Sequence, residues 1–419
     1  MSHMVNITGF DDIFNDFAKE VYKAKGEGKK IDRKLYAKTA EKLTDGLMEN
    51  FSDKVEFGHD DPENLLAAKM RSNLHAFSAA KSLSMYNDFS GALLDENGDI
   101  KPFNKFRQEV SKINALYNEE WLKTEYETAI ASGQAAATWQ RLEQNRDIAP
   151  ILEYHTQEDS RVSPEHQQLH LLTAHIDSHI WNTIYPPNRW RCRCYVMQKG
   201  KGTKETPAQE VINRVKNADV QPLFKTNVGK TGVVVKGDHP YYANVKGKVT
   251  ELDAVKNYGM PDWRATNNYR KDHAPAMPAA KPKQELYEWW KEKVQEHGVG
   301  GEDFAIADVN GSKILFDAHP KMKGLEQFRE HAIKKHSDIA HLSEEVVSKA
   351  DEAWSFYDVN EPGKPLLHTY LKYYKDKIIA LVVREEKGVL RAVTIYPVDN
   401  LSTFNNMRKG VLLHANKKF

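Results

Sequence analysis

Cysteine is scarce in this 419-residue chain, and its scarcity limits what can hold the fold together. Only two cysteines occur, Cys192 and Cys194. Their C-x-C spacing closes a loop that is too tight for relaxed disulfide geometry. A chain without a disulfide framework is typical of a reducing compartment. We therefore expect a fold without disulfides, in a cell interior.

Strong net charge and long apolar runs are also missing. Sixty Lys and Arg residues stand against 59 Asp and Glu residues, a formal net charge of +1, so any nucleic-acid contact must be local. No apolar run approaches the roughly 20 residues that span a membrane. The first residues lack the charged and apolar regions of a secretory signal. With 40% hydrophobic residues, the chain has the composition of globular protein and the length for two or three domains.

The first 150 residues carry the periodicity of α-helices. Apolar residues from Phe14 to Tyr22 recur at i, i+3, i+7 and i+8, which makes one stripe along a helix. Asp32 is a candidate N-cap for a second helix. Similar patterns predict further helices over about 65–77 and 106–142. The N-terminal part is therefore predicted to be mainly α-helical.

The segment 153–196 concentrates imidazole and thiol groups. Thiolate and neutral imidazole are the ligands that zinc prefers in closed tetrahedral sites. The residues in question are His155, His166, His170, His175, His179, Cys192 and Cys194. We predict a zinc site made by His166, Cys192 and Cys194, completed by His155, His170 or Asp159. The alternative is a buried cysteine pair with scattered surface histidines, since the spacing matches no standard zinc finger.

Four arginines give the same segment a basic face. They are Arg161, Arg189, Arg191 and Arg193. Guanidinium groups bind phosphate or the carboxylates of a partner. A solvated rim without a ligand is the alternative.

Several separated motifs of the N-terminal half occur in one order. The sequence D-S-R-V-S-P-E-H-x-x-L at 159–169 is followed by a tryptophan and by P-P-N-x-W-x-C-R-C at 186–194. Together with F-S-A-A-K-S at 77–82, these motifs resemble the phage Mu F-like minor head protein family over roughly the first 250 residues. Ser163 and His170 depart from it, because the family usually has Arg and Gly there. The resemblance implies a minor head domain over 1–254, portal and capsid proteins as partners, and a location in the virion or the bacterial host cytoplasm.

The pattern changes in the C-terminal part. Val233–Val235 is predicted to be a strand, and 255–284, with four prolines, is predicted to be a semi-stiff linker. Beyond it we expect a small α+β domain over 285–419 with an antiparallel sheet. Its predicted elements are a hairpin over 304–316, helices over about 325–335 and 343–353, and strands Leu366–Tyr374, Ile378–Arg384 and Leu390–Tyr396.

The strand Leu366–Tyr374 alternates cleanly, with His368, Tyr370 and Lys372 on one face. From Lys364 onward the chain has eleven Lys and Arg against four Asp and Glu, so 11 − 4 gives +7, which attracts a polyanion. Histidines and cations can cleave a phosphodiester without a metal when the RNA 2′-hydroxyl is the nucleophile. The alternative is a basic module that binds nucleic acid or a partner without catalysis.

The helix H-A-I-K-K-H at 331–336 and the final strand V-T-I-Y at 393–396 resemble the barnase, EndoU, colicin and RelE-like nucleases. The resemblance implies a ribonuclease toxin that needs no cofactor, with an RNA substrate and an immunity protein. Its implied acid or base is His331 or His336. The other implied site residues are Tyr370, Lys372, Thr394 and Tyr396 around the substrate, Lys372, Arg384 and Arg391 on phosphate, and His368 and His414 as lesser candidates.

Overall fold

The computed structural model describes residues 10–28, 30–49, 51, 57–245, 249–318 and 327–416. The chain divides into two compact units. The first unit comprises Met1–Asp53 and Lys69–Gly247, and the second comprises Lys54–Ala68 and Lys248–Phe419. The second unit therefore begins before residue 285, the start expected for the C-terminal domain.

The first unit is mainly helical, as its periodicity predicts. Its first helices are α1 (Phe10–Lys23), α2 (Arg33–Glu49), α3 (Pro62–Gly91), α4 (Phe103–Ala115) and α5 (Leu122–Gln144), and the first seven residues of α3 group with the second unit. A π-helical turn, Leu116–Trp121, joins α4 to α5. Asp32 is the predicted N-cap of α2, because its Oδ1 accepts the N–H of Leu35 at 2.7 Å.

Glycine allows helices α2 and α5 to approach closely. A Cβ atom on Gly133 would lie 2.1 Å from the carbonyl oxygen of Leu47, and one on Gly46 would lie 2.6 Å from the Tyr126 ring. Both distances are shorter than any van der Waals contact. At Gly133 the two helices therefore pack backbone against backbone, and at Gly46 the Tyr126 ring of α5 lies against the backbone of α2.

A three-stranded antiparallel sheet follows α5, and the sequence did not predict it. Its strands, in the order β2-β1-β3, are β1 (Ile151–His155), β2 (Thr173–His175) and β3 (Tyr195–Lys199). The helices of this region are α6 (Pro164–Gln167), α7 (Trp181–Ile184), α8 (Ala208–Asn217) and α9 (Val228–Thr231). These strands are three to five residues long, too short for alternation to be recognised.

The strand predicted at Val233–Val235 is wrong. These residues are buried but irregular. The Asn73 side chain takes the place of a neighbouring strand: its Oδ1 accepts the N–H groups of Val234 (3.0 Å) and Val235 (2.8 Å), and its Nδ2 donates to the Val235 carbonyl. One side chain thus satisfies the backbone that a β-partner would otherwise satisfy.

The second unit is built on a mixed sheet. Within the described residues the sheet has eight strands in the order β11-β7-β8-β9-β10-β6-β5-β4, and only β10 and β6 pair in parallel. The strands are β4 (Gly298–Gly300), β5 (Asp303–Ala307), β6 (Lys313–Phe316), β7 (Glu352–Ser355), β8 (Leu367–Tyr373), β9 (Ile378–Glu386), β10 (Val389–Pro397) and β11 (Val411–Ala415). Its helices are α10 (Trp263–His273), α11 (Lys283–His297), α12 (Phe328–Lys335), α13 (Ser343–Ser348) and α14 (Leu401–Met407).

The antiparallel elements predicted for this unit are confirmed. Strands β8, β9 and β10 form a meander, and β5 pairs with β6 across Asn310-Gly311. The second predicted helix is too long, because α13 ends at Ser348 and Glu352–Ser355 is strand β7. The helix predicted from about residue 325 begins at Phe328, and residues 325 and 326 lie outside the described residues.

The segment 255–284 differs from the linker expected there. It contains α10, and Ala274 is buried in a core with Leu371 and Phe404. The Lys375 N–H donates to the Pro275 carbonyl at 2.8 Å. The segment therefore belongs to the second unit. Proline content indicated a stiff chain but not that the chain packs on the sheet.

No helix among the described residues is both long enough and apolar enough to cross a bilayer.

Candidate functional site

His166, Cys192 and Cys194 form a compact cluster in the first unit. His166 Nδ1 lies 3.9 Å from the Sγ atom of Cys192 and 3.9 Å from that of Cys194. All three potential ligand atoms lie within 4.8 Å of one another. In a tetrahedral zinc site, Zn–S of about 2.3 Å and Zn–N of about 2.0 Å place such atoms about 3.6 Å apart. The two separations between His166 and the sulfur atoms are therefore only a few tenths of an ångström longer than in such a site.

Short local elements bring these three side chains together. Ser163 caps α6, and its Oγ accepts the N–H of His166, which fixes the buried imidazole on the first turn. Cys192 ends a turn closed by its N–H on the Arg189 carbonyl at 3.1 Å. Cys194 immediately precedes β3. The cluster thus joins a helix start, a loop and a strand start.

Tyr154 and Asn188 lie on the inner side of the cluster, and sequence reasoning missed both. Asn188 is fully buried, and its Nδ2 donates to the Tyr154 hydroxyl at 2.9 Å and to the Ile184 carbonyl at 2.8 Å. The Tyr154 hydroxyl is also hydrogen-bonded to Cys194. The sequence signal for Asn188 was its place in the motif P-P-N. Its burial is visible only in the structure, where a buried asparagine needs hydrogen-bond partners.

The two thiols have opposite acidities. The hydrogen bond with Cys194 lowers the pKa of Cys192 well below its ordinary value, assisted by His166 and by the N–H groups of Asn188 and Cys194. The same thiol–thiol bond, together with burial, raises the pKa of Cys194. N–H donors aimed at the Cys192 sulfur suit a thiolate and hence a metal–sulfur bond.

The outer side of the cluster opens into a pocket rimmed by guanidinium groups. The pocket is lined by Arg161, Val162, Ser163, Arg189, Arg191 and Arg193 together with the cluster itself. Arg191 pairs with Glu127 at 2.9 Å, and Arg193 pairs with Asp159 at 2.6 Å. The hydrogen bond from Arg193 lowers the pKa of Asp159 to about 2.

None of the three residues predicted as a fourth ligand joins the cluster. Asp159 is committed to Arg193. His155 Nε2 lies 2.8 Å from Glu153 Oε1, and His170 Nδ1 lies 3.2 Å from Thr156 Oγ1. Within the part of the chain that the structure describes, the group of potential metal ligands consists of His166, Cys192 and Cys194 alone.

In the second unit, three of the predicted catalytic residues come together. His331 on α12 places Nε2 at 3.0 Å from Oγ1 of Thr394 on β10. The ring centroids of His331 and His336 are 5.6 Å apart. Burial, followed by the charge of His331, lowers the pKa of His336. These three residues have the composition of an acid–base site.

The polar face of β8, expected to be open to substrate, is buried. Tyr370 is fully buried, and its hydroxyl donates to Asp308 Oδ2 at 2.5 Å, with His368 Nδ1 at 3.3 Å from the same hydroxyl. Lys372 forms an ion pair with Asp351 at 3.2 Å. Burial also lowers the pKa of His414. The alternating pattern identified the residues of this face of β8. A period of two does not show whether other elements cover that face.

The remaining predicted residues have protein partners elsewhere. Arg391 is buried between Asp317 (2.6 Å) and Glu386 (2.9 Å), and Arg384 donates to Glu386. The Tyr396 hydroxyl lies 2.9 Å from a methionine sulfur, and burial raises its pKa. Each of the predicted phosphate-binding residues is therefore paired with an acidic residue of the chain.

A buried ion pair beside the π-helical turn was not predicted. Lys81 Nζ lies 2.5 Å from Glu125 Oε2 and also donates to the Tyr117 carbonyl at 2.7 Å. Glu125 Oε1 accepts the Tyr241 hydroxyl at 3.2 Å. Burial lowers the pKa of Lys81 and raises that of Glu125. The unusual signal was Lys81 itself, a lysine in an otherwise apolar and small-residue stretch of α3.

A family model and two curated proteins match a part of the chain. The sequence model of the family described as "Phage Mu protein F like protein" matches residues 101–197. "Putative capsid assembly protein F" of Escherichia phage Mu is 35% identical over 75 residues, which is 18% of this chain and 17% of that protein. "Mu-like prophage FluMu F protein" of Haemophilus influenzae is 37% identical over 75 residues, 18% of each chain.

The matched regions span less than a fifth of the length of these curated relatives. The family match is also shorter than the roughly 250 residues over which the motifs suggested a resemblance. No solved structure matches the chain. The resemblance to the phage Mu F-like family is confirmed over residues 101–197, the segment that contains all three residues of the His/Cys cluster.

Proposed function

We propose that this chain is a minor component of a phage or prophage head, located near the portal and acting in head assembly. The observation that carries the proposal is the match of residues 101–197 to the Mu F-like family. A phage Mu protein that is similar to this chain is named for capsid assembly. The portal and capsid proteins are its partners in this proposal. The mainly helical first unit contains the matched segment.

Deleting the gene from the phage or prophage that encodes it tests this function. We expect the deletion to reduce the yield of intact heads, and a plasmid copy of the gene to restore it. The chain should also be found in purified heads or head precursors. Normal heads in the deletion strain, or a chain that is expressed but absent from every head species, would contradict the proposal.

We further propose that His166, Cys192 and Cys194 hold a structural zinc ion. Support comes from the ligand types, the 3.9 Å separations and the N–H groups directed at the Cys192 sulfur. Such an ion would tie α6 to the loop before β3. Bound zinc is measured by elemental analysis of the purified chain.

The matched comparison for zinc uses two variants. Cys192→Ser with Cys194→Ser should remove the metal. His179→Gln should retain it, because His179 is an exposed histidine outside the cluster. Equal metal content in both variants would reject the site.

A second candidate function, ribonuclease activity of the second unit, is favoured by the 3.0 Å contact between His331 and Thr394 beside His336. In this proposal His331 moves the proton of the RNA 2′-hydroxyl, and Thr394 orients the imidazole. No metal takes part. An immunity protein would then protect the host.

RNA cleavage by the full chain in the presence of a chelator tests the second function. The full chain is used because the second unit begins before residue 285 and buries Ala274 in its core. Loss of cleavage in His331→Ala, with activity retained in His297→Ala on α11, supports catalysis. RNA binding without cleavage would instead support a binding module.

A further inference from the structure

We propose that the fourth ligand of the His166/Cys192/Cys194 metal centre is a carboxylate from outside this chain, bound in the arginine-rimmed pocket. The inference rests on the proposed zinc site and identifies what completes it. Its first basis is the number of ligands. Zinc in proteins is almost always four-coordinate in structural sites, and three-ligand sites leave a position for an exogenous group. The described cluster offers three donor atoms.

The direction of the open position follows from the surroundings. Tyr154 and Asn188 are buried and hydrogen-bonded to one another, and they close the inner side. Cys194, in contrast, is partly exposed. The outer side is the pocket, which gives a ligand access to the cluster. The fourth position therefore faces solvent rather than the protein core.

The carboxylates nearest to this pocket already have partners. Asp159 pairs with Arg193, and Glu127 pairs with Arg191. Glu165 lies in the first turn of α6 and is hydrogen-bonded to Ser163. None of these acids belongs to the group of potential ligands. Since no carboxylate among the described residues joins the cluster, we assign the fourth position to a carboxylate of another molecule.

The positive charge around the site favours an anionic ligand. Two thiolates and a neutral imidazole balance the 2+ charge of zinc, so the filled centre is neutral. Around it, the four arginines of the pocket stand against Asp159, Glu127 and Glu165, and 4 − 3 leaves +1. An incoming anion thus gains a bond to the metal and a favourable field from the rim.

Among anions, a carboxylate fits both parts of the site. Aspartate and glutamate oxygens are established zinc ligands at about 2.0–2.2 Å. A carboxylate has two oxygens, so one can bind the metal while the other accepts from a guanidinium group such as that of Arg189. This group has two sources, a small free acid or an acidic side chain of a partner protein. The chemistry is the same in both cases.

The test uses the full chain loaded with Co²⁺, whose visible absorption reports its ligands and coordination geometry. The metal-to-protein ratio is measured first. Acetate is then titrated in, with acetamide as a neutral analogue of the same shape and inorganic phosphate as a competing anion. A glutamate-rich peptide provides the second source of carboxylate. We expect a saturable spectral change with acetate and no change with acetamide.

Two arginine variants provide the matched comparison. Arg189→Gln should weaken acetate binding roughly three- to fivefold, as expected for a solvent-exposed charge pair. Arg107→Gln, at an exposed position of α4 outside the pocket, should leave it unchanged. Tighter binding of the peptide than of acetate points to a protein partner as the source, and equal binding points to a free acid.

The outcomes separate the two proposals. If no Co²⁺ or Zn²⁺ binds, both the metal centre and its fourth ligand are rejected. If metal binds at one equivalent but acetate leaves the spectrum unchanged, only the carboxylate is rejected. A response to phosphate without a response to acetate would also overturn the carboxylate, because it would assign the position to a phosphate ligand.

Discussion

The buried pair of Lys81 and Glu125 makes a sharp prediction about stability. Their side chains are only 3% and 6% exposed. Replacing Lys81 by Met leaves the Glu125 carboxylate without its cation and removes the Nζ donor from the Tyr117 carbonyl. Removing one partner of a buried pair costs about 3–5 kcal/mol. We therefore expect Lys81→Met to lower the free energy of unfolding of the first unit by about 4 kcal/mol at pH 7.5.

Neutralising both members should recover most of this loss. In the double variant Lys81→Met/Glu125→Gln no charge remains buried, and replacing a buried pair as a whole is often nearly neutral. The double variant should thus lie within about 2 kcal/mol of the wild type. The coupling energy between the two sites would then be about 2 kcal/mol or more.

The loss in Lys81→Met should also depend on pH. Burial raises the pKa of Glu125 above its ordinary value of 4.5. A carboxyl with a raised folded-state pKa favours the folded state below the unfolded value, and this contribution is lost as pH rises through the folded value. Without Lys81 the pKa of Glu125 rises further. The single variant should therefore be least destabilised near pH 4.5 and most destabilised above neutrality.

Urea unfolding followed by circular dichroism and fluorescence measures these differences. Because the chain has two units, the two transitions are fitted separately, and only one should shift. Lys34→Met is the control, since Lys34 and Asp16 form an exposed pair with side chains 70% and 55% exposed. It should cost less than about 1 kcal/mol. A similarly small cost for Lys81→Met would refute the buried pair.

Three further changes have defined outcomes. Gly133→Ala should destabilise the first unit by about 3 kcal/mol, because its Cβ would meet the Leu47 carbonyl, whereas Gly91→Ala, with open space around it, should change the midpoint of urea unfolding little. Arg408→Met should lower the free energy of unfolding of the second unit by about 3–5 kcal/mol, because it leaves the fully buried Glu352 without its bidentate partner. A midpoint of urea unfolding equal to that of the wild type would contradict this. Adding a chelator to the zinc-loaded chain should lower the melting temperature of the first unit. If free zinc was at 100 times its Kd, the free energy of unfolding falls by about 2.7 kcal/mol. An unchanged melting curve would argue against a structural ion.

Local periodicity predicted the long helices of the first unit and the meander of the second. Helix α2 begins where its Asp32 cap predicted, and strand β8 lies where its side chains alternate. Both patterns depend on the backbone period and on neighbours within a few residues. The density of cysteine and histidine in 153–196 likewise pointed to His166, Cys192 and Cys194, which the fold does bring together.

Contacts between distant residues could not be predicted in the same way. Asn73 replaces a strand partner for Val234 and Val235 across more than 160 residues, so the apolar run there remains irregular. The segment before α11 packs on the sheet although its prolines suggested a free linker. In both cases the deciding partner is far away in sequence, and no local pattern records it.

The sequence by itself determined many of the helices and strands, and which chemical groups are concentrated at 153–196. Only the tertiary structure decided which of those groups are accessible. It directs the His/Cys cluster toward an arginine-rimmed pocket, while it buries Tyr370 and pairs Lys372 and Arg391 with acids. The physical reason is that alternation and charge are local properties, whereas burial and ion pairing depend on which elements pack together.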